Sequence, residues 1–169
     1  AFFRDFCPGV IDPPVPTPPD VRIALVDPAD EAAARAYALV AVGGFMPEGM
    51  APREEDLALS IRCMRHPRTR AAAAYIGDRC VGAGAMEVAG PVAGLFGLSV
   101  DPEFRRRGIQ QALMAYRLNL AAAAGAKIAT IGTRPGVATE RNARRMGFQM
   151  AYTKVVLTRP AAGLAPVLG

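Results

Sequence analysis

Residues 98–113 decide the fold: they read Leu-Ser-Val-Asp-Pro-Glu-Phe-Arg-Arg-Arg-Gly-Ile-Gln-Gln-Ala-Leu. An apolar strand ends at Val100, a proline turn follows, and an arginine-rich loop with one glycine leads directly into a long helix. The unpaired N–H groups of the first helical turn, the helix dipole and the guanidinium groups would converge on one point, and Gly108 lets a ligand approach the backbone closely. The stretch therefore predicts an anion site that fits a pyrophosphate, although a basic run by itself is also typical of a solvated face.

Alternating signals around this stretch predict one α/β domain of the α+β type, with the element order β-α-α-β-β-β-α-β-α-β. Apolar runs bounded by glycine or proline turns predict strands, whereas proline openings, acidic first turns and glycine stops predict helices. The expected strands cover residues 21–26, 71–76, 80–88, 92–100, 127–131 and 148–157. The expected helices cover residues 28–43, 52–66, 107–124 and 138–146.

Size and composition narrow the class of protein. The chain has 169 residues, enough for one sizeable core, and its 51% hydrophobic and 21% charged residues are typical of a globular chain. No apolar run approaches the ~20 residues that span a bilayer, so we expect no membrane association. Three scattered cysteines favour a reducing, cytoplasmic location over a disulfide scaffold. The cysteines and the single histidine match no zinc spacing, so we expect no metal site.

Positive charge is concentrated in the second half of the chain. Residues 1–100 carry nine Arg against twelve acidic residues, a net charge of −3, whereas residues 101–159 carry eleven Arg and Lys against three acidic residues, a net charge of +8. Of the 20 basic residues 18 are Arg, the better bidentate phosphate ligand. Codon usage in a GC-rich genome would explain the excess of Arg over Lys, but it does not explain the clustering.

The two ends of the chain differ from its middle. Six of the fifteen prolines lie within residues 1–20, which we therefore expect to be an extended arm or linker. We assign the folded domain to residues 21–158 and an uncharged tail to residues 159–169, apart from Arg159. The arm carries three phenylalanines, so we expect it to pack either on this domain or on a neighbouring one. A homodimer and an N-terminal domain outside this chain both remain open.

Two motifs resemble the GNAT superfamily of N-acyltransferases. The superfamily signature is Val-x-Pro followed by Arg/Gln-x-x-Gly-x-Gly/Ala, and Val100, Pro102, Arg105 and Gly108 match it. The last position departs, because it holds Gln110 instead of Gly or Ala. Residues 139–148, Thr-Glu-Arg-Asn-Ala-Arg-Arg-Met-Gly-Phe, resemble the second cofactor-facing helix of the superfamily. The predicted element order agrees with that fold from about residue 21 to 158.

The resemblance implies a GNAT-like mixed, mostly antiparallel splayed sheet flanked by helices. The strands at 92–100 and 127–131 would part at their C-terminal ends, and the pantetheine of acetyl-CoA would lie in the gap. Gly94 and Gly97 fit a close backbone approach there, although a strongly twisted strand would also explain them. The implied cofactor-binding residues are Leu98, Val100, Arg105, Arg106, Arg107, Gly108, Ile109, Gln110 and Asn142.

The catalytic acid and base are less well marked. Many superfamily members carry a carboxylate in the strand that here covers residues 92–100, and this strand contains none. Glu87 in the preceding strand is the first candidate for the base, with a salt bridge at the rim as the alternative. His66 has a suitable pKa range, but helix capping would also explain it. Tyr152 is the candidate for the acid that reprotonates the CoA thiolate, or else a strand residue half-buried for packing.

The expected function is therefore N-acetyl transfer from acetyl-CoA to a primary amine, on a small molecule or a peptide, by direct attack in a ternary complex. The alternative is an acyl-CoA-binding sensor, or degenerate GNAT domain, that binds CoA without turnover. A nucleic-acid binder is disfavoured, because few aromatic residues accompany the basic residues of the second half. The expected partners are acetyl-CoA and the acceptor amine, without nucleic acid, membrane or metal.

Overall fold

A computed structural model describes residues 1–6, 15–47, 49–155 and 157 of the chain. Seven strands are β1 (Phe2–Asp5), β2 (Arg22–Leu25), β3 (Thr69–Ile76), β4 (Arg79–Ala89), β5 (Val92–Val100), β6 (Ile128–Ile131) and β7 (Gln149–Met150). Four α-helices are α1 (Glu31–Gly43), α2 (Glu54–Met64), α3 (Ile109–Ala123) and α4 (Ala138–Arg145), and a single 3-10 turn covers Pro102–Phe104. From β2 onward the element order is the predicted one, and one further strand precedes it. No helix within the described residues is long and apolar enough to cross a membrane.

Local sequence signals explain where the helices begin and end. The side chain of Asp30 accepts a hydrogen bond of 3.0 Å from the Ala33 N–H and caps the first turn of α1. Three acidic residues occupy the first turn of α2, where the helix dipole favours negative charge. Gly108 precedes α3 in the left-handed conformation, with φ at 80°. The acidic turn and Gly108 lie within a few residues of the boundaries they set, which is why they could be predicted from the sequence, whereas α1 begins three residues after the predicted start because Asp30 caps it.

The seven strands form one sheet in the order β2-β3-β4-β5-β6-β1-β7. Every neighbouring pair is antiparallel except β5 and β6, which are parallel. One hydrophobic core lies between the sheet and α3 and α4, and a second lies between the sheet and α1 and α2. The structure is therefore the mostly antiparallel, helix-flanked sheet that the resemblance implied.

The parallel pair separates at one end. Strands β5 and β6 are in register from Val92 opposite Ile128 to Leu95 opposite Ile131, and the remaining residues of β5 have no partner in β6. At the same point β5 bulges against β4, because Ala85 faces Phe96 whereas Ala83 faces Ser99. One residue of β4 therefore lies opposite two residues of β5, Gly97 and Leu98. The divergence opens the sheet beside the second half of β5.

The bulge depends on a glycine and changes the face of the sheet on which the later side chains of β5 lie. Gly97 has φ at 62°, a left-handed conformation that side-chain-bearing residues rarely adopt. Side chains of a regular strand alternate between the two faces, so Leu95 and Leu98 would lie on opposite faces without the bulge. Both belong instead to the core beneath α3 and α4.

The amino-terminal segment is part of the sheet. We expect residues 1–20 to be an arm or linker that packs on this domain or on a neighbouring one. Phe2–Asp5 forms β1 between β6 and β7, and Phe2 is only 5% exposed in the core, so this part of the arm belongs to the domain that we assigned to residues 21–158. Residues 7–14 of the arm and the tail at 159–169 lie outside the described residues.

The last strand is shorter than predicted. We expected it to cover residues 148–157, but β7 contains only Gln149–Met150, and residues 151–155 are not in a strand. Its pairing with β1 covers two residues, Met150 opposite Phe2 and Gln149 opposite Phe3, and one further hydrogen bond of 3.0 Å runs from the Ala151 N–H to the Ala1 carbonyl.

Candidate cofactor cleft

A cleft of about 1160 Å³ opens where β5 and β6 diverge. Its walls come from both helical layers and from the loops at the carboxyl ends of the two strands. The described lining residues are 44, 45, 96–100, 104–106, 108–111, 131–134, 137–139, 141, 142 and 145. The cleft thus joins the arginine-rich loop to the open side of β5.

The loop before α3 has the geometry of an anion site. Arg106 and Gly108 both have positive φ, at 63° and 80°, with one residue between them. Left-handed residues in a turn can direct neighbouring backbone N–H groups toward one side, and the first turn of α3 adds N–H groups that have no partner within the helix. The positive end of the α3 dipole lies at the same place. The backbone here therefore offers N–H groups and a positive dipole end to an anion.

Arginine side chains add to this site. Five of them line the cleft: Arg105, Arg106, Arg134, Arg141 and Arg145. The Nε of Arg105 donates to the Val100 carbonyl at 3.2 Å, which fixes the side chain against the end of β5. Among the described lining residues there is no carboxylate, histidine, tyrosine or cysteine. The cleft is therefore strongly electropositive and suits the several phosphate charges of a CoA nucleotide.

A network of amide side chains joins α3 to α4 across the cleft. The Nδ2 of Asn142 donates to Gln110 Oε1 at 2.6 Å, and Gln110 Nε2 donates to Thr139 Oγ1 at 3.1 Å. Gln111 Nε2 donates to Asn142 Oδ1 at 3.4 Å. Gln110, the position that departs from the GNAT signature, thus accepts a hydrogen bond from Asn142, one of the residues expected to bind the cofactor.

Most of the predicted cofactor residues lie together. The cleft is lined by Leu98, Val100, Arg105, Arg106, Gly108, Ile109, Gln110 and Asn142. Arg107 is not among the lining residues, because its guanidinium pairs with the Asp20 carboxylate and lies over the Phe104 ring, 5.7 Å from the centroid. The middle residue of the three loop arginines therefore faces the cleft, and the third ties the loop to the segment before β2.

The two predicted catalytic residues do not line the cleft. Glu87 lies in β4 opposite Gly94, where its Oε1 accepts a hydrogen bond of 3.2 Å from Thr69 and is 3.8 Å from Nδ1 of His66. Tyr152 follows β7 and is 61% exposed. The catalytic roles of Glu87 and Tyr152 stay predictions, and their positions give those roles no geometric support.

Near the end of α1 the cleft is lined by Phe45, Phe96 and Ser99. Phe96 is 41% exposed on β5, and Phe45, which follows α1, is 68% exposed. Ser99 is buried, and its hydroxyl has no hydrogen-bond partner among the described residues. A side chain at Gly44 would collide with this hydroxyl, since its Cβ would lie 1.7 Å from Oγ. Alternation along β5 could have indicated Phe96, but the packing of Gly44 on Ser99 depends on tertiary structure.

The family of the chain follows from a comparison with known families. A model described as the acetyltransferase (GNAT) family matches residues 37–148, more than half of the chain. The chain therefore belongs to the GNAT acetyltransferase family, as the two motifs predicted. No curated protein matches the chain significantly.

Solved structures share the fold at low sequence identity. AAC(6')-Iy, solved with the bisubstrate analogue CoA-S-monomethyl-acetylneamine, is 15% identical with a TM-score of 0.66, covering 83% of this chain and 99% of its own. A ribosomal-protein alanine N-acetyltransferase from Escherichia coli is 17% identical with a TM-score of 0.62, covering 78% of this chain and 79% of its own. A GCN5-related N-acetyltransferase from Kribbella flavida is 20% identical with a TM-score of 0.59, covering 88% of this chain and 52% of its own.

Proposed function

We propose that this protein transfers the acetyl group of acetyl-CoA to the primary amine of a small molecule or peptide by direct attack in a ternary complex. One observation carries the proposal: the anion site before α3 and the open side of β5 belong to a single cleft. A pyrophosphate at the first and a pantetheine along the second would make one continuous ligand. The solved structure of AAC(6')-Iy with a CoA bisubstrate analogue supports CoA as the ligand of this fold.

Each part of the cleft has a task in this function. The N–H groups around Arg106 and Gly108 would bind the pyrophosphate, and the lining arginines would neutralise phosphate charge. The backbone of Leu98 and Val100 would bind pantetheine as a strand partner, since β6 has diverged there. Bound acetyl-CoA supplies a thioester. A backbone N–H of β5 would stabilise the oxyanion that forms when the amine nitrogen attacks the thioester carbon. When this intermediate collapses, the C–S bond breaks and CoA leaves as the thiolate, which takes up through solvent the proton that the amine nitrogen loses.

Deprotonation of the acceptor amine is the step for which the described lining residues provide no base. An alkylammonium group has a pKa near the lysine value of about 10.4, about three units above pH 7. Its deprotonation at pH 7 therefore costs about 4 kcal/mol. No described lining residue is a carboxylate, histidine, tyrosine or cysteine. We therefore propose that the proton leaves to solvent through the open mouth of the cleft, and that rates rise with pH as the free amine fraction grows.

A second function is favoured by the same lack of a base. A domain that binds acyl-CoA without turnover needs the anion site and the open strand but no proton acceptor. Because this alternative shares the cofactor cleft, ligand binding alone does not distinguish it from the enzyme. Turnover does.

Two measurements test the proposal in sequence. Acetyl-CoA at 100 times its dissociation constant adds about 2.7 kcal/mol to the free energy of unfolding and should raise the melting temperature by several degrees. No shift at millimolar acetyl-CoA would contradict both functions. Release of CoA thiol with a panel of alkylamines, amino acids and peptides then separates them: amine-dependent release indicates the enzyme, and binding without release indicates the sensor.

A further inference from the structure

Arg117 is a charged residue in the interior of the domain. It lies on α3, is 0% exposed, and its Nε donates to the Leu113 carbonyl at 3.1 Å. Its Nη1 donates to the carbonyls of Ala85 at 2.8 Å and Phe96 at 3.1 Å, and its Nη2 has no hydrogen-bond partner among the described residues. The guanidinium thus reaches from the helix to the backbones of β4 and β5.

The two carbonyls mark the start of the β5 bulge. Ala85 and Phe96 are the last facing pair before the register shifts at Gly97 and Leu98. Gly84, the β4 residue opposite the bulge, has no side chain in the path of Arg117. A Cβ built there would lie 2.9 Å from Arg117 Cζ. The glycine and the arginine therefore fit each other at the point where the sheet opens.

Burying a guanidinium here costs free energy, because it removes a charge from water. The described residues provide no salt bridge to Arg117, and burial lowers its pKa to about 10, partly offset by Tyr37. The group remains charged at neutral pH. An apolar side chain of similar volume would avoid the desolvation of a charge. Residues that break the general rule against buried charge tend to lie at functional sites.

We propose that Arg117 is a positioning residue for the pantetheine end of the cleft, which it serves by holding the Ala85 and Phe96 carbonyls and so fixing the bulge at Gly97. The proposal rests on the function proposed above. If the bulge relaxed toward regular pairing, the residues after it would move to the opposite face of the sheet, and Leu98 and Val100 would no longer present their backbone to the cleft.

The nucleotide end of the cleft is independent of this contact. The anion site is formed by the loop at Arg106 and Gly108 and by the first turn of α3, whereas Arg117 lies about two turns further along that helix. Loss of the Arg117 contacts should therefore weaken binding of the pantetheine half of CoA and leave the nucleotide half unaffected. This difference separates positioning from general loss of structure.

The test compares two ligands by isothermal titration: CoA, and adenosine 3′-phosphate 5′-diphosphate, which is CoA without pantetheine. The variants are Arg117→Met, which removes the donors, Arg117→Lys, which keeps the charge, and Gly84→Ala, which displaces the guanidinium without changing Arg117. Gly82→Ala is the matched control, because its Cβ would lie 2.8 Å from Leu113 Cδ1 and would crowd the same helix–strand interface away from Arg117.

We expect Arg117→Met to weaken CoA binding by at least about tenfold while nucleotide binding stays within about twofold. Gly84→Ala should show the same selective loss, Arg117→Lys a smaller one, and Gly82→Ala an unchanged ratio of the two affinities. Equal loss for both ligands, or CoA binding that stays unchanged in every Arg117 and Gly84 variant, would overturn the proposal. If Arg117→Met does not fold, Arg117→Lys and Gly84→Ala decide it by the same ratio.

Failure of the underlying function is distinguishable. If the wild-type protein binds neither ligand, the proposed function is wrong. Amide hydrogen exchange of the free protein then tests whether Arg117 fixes the bulge. Faster exchange of the peptide covering residues 95–100 in Arg117→Met or Gly84→Ala, but not in Gly82→Ala, supports the contact as the element that fixes the bulge. Unchanged exchange there overturns it.

Discussion

Replacing Arg106 with glycine should weaken cofactor binding without weakening the fold. Arg106 lines the cleft and has φ at 63°, a left-handed conformation that is unfavourable for a residue with a side chain. Glycine removes that strain, about 1–2 kcal/mol, but makes the unfolded chain more flexible by about 0.4–1 kcal/mol. The free energy of unfolding should therefore stay the same or rise by up to about 1.6 kcal/mol.

Affinity should change in the opposite sense. A hydrogen bond from a charged donor contributes about 1.5–3 kcal/mol, which corresponds to about 10- to 150-fold in a dissociation constant. Arg106 is exposed, so solvent screening places its contribution at the lower end of that range. We expect acetyl-CoA to bind Arg106→Gly about tenfold more weakly, as measured by isothermal titration, with chemical denaturation reporting stability.

Arg107→Gly is the matched control, one residue further along the same loop. Arg107 does not line the cleft and pairs with Asp20. Its replacement should lower the free energy of unfolding by about 0.5–2 kcal/mol, through chain entropy and loss of an exposed ion pair, and leave affinity within about threefold. The assignment of the loop would be refuted if Arg107→Gly lost affinity and Arg106→Gly kept it, or if Arg106→Gly proved clearly less stable.

Three further changes separate packing, binding and catalysis. Phe2→Ala should lower the free energy of unfolding by about 3–5 kcal/mol in chemical denaturation, because Phe2 is 5% exposed. Phe3 is half-buried, so Phe3→Ala should lower the free energy of unfolding much less. Equal effects of the two changes would contradict the placement of β1. Asn142→Ala should weaken CoA binding by about 2- to 13-fold in titration, the value of one neutral hydrogen bond, and an unchanged affinity would remove Asn142 from the site. Glu87→Gln and Tyr152→Phe should each keep kcat within about threefold in the thiol-release assay, since neither lines the cleft; a loss of about 100-fold or more in either would instead identify it as the general base or acid.

The elements that the sequence predicted are those whose signals are local. The loop at residues 105–108 combines a basic run, a glycine and a helix start within a few positions, and both the loop and the helix are found where they were expected. The same holds for α2, whose acidic first turn lies at Glu54–Asp56. Such signals need no knowledge of distant partners.

The features that the sequence did not predict depend on distant contacts. Strand β1 pairs with β6 and β7, both more than 120 residues away, and nothing in the first five residues indicates that pairing. Arg117 follows Leu113 by four positions and so stands on the face of α3 that packs on the sheet. A single arginine on an apolar helix face was the available signal, but only Gly84 and the bulge explain how it is accommodated.

A crystal structure of the protein with CoA tests the central claim most directly. The account predicts the pyrophosphate within hydrogen-bonding distance of the backbone N–H groups between Arg106 and Gln110, and the pantetheine beside residues 96–100 where β6 has diverged. CoA bound with its pyrophosphate away from this loop, or with its pantetheine outside the gap between β5 and β6, would contradict it.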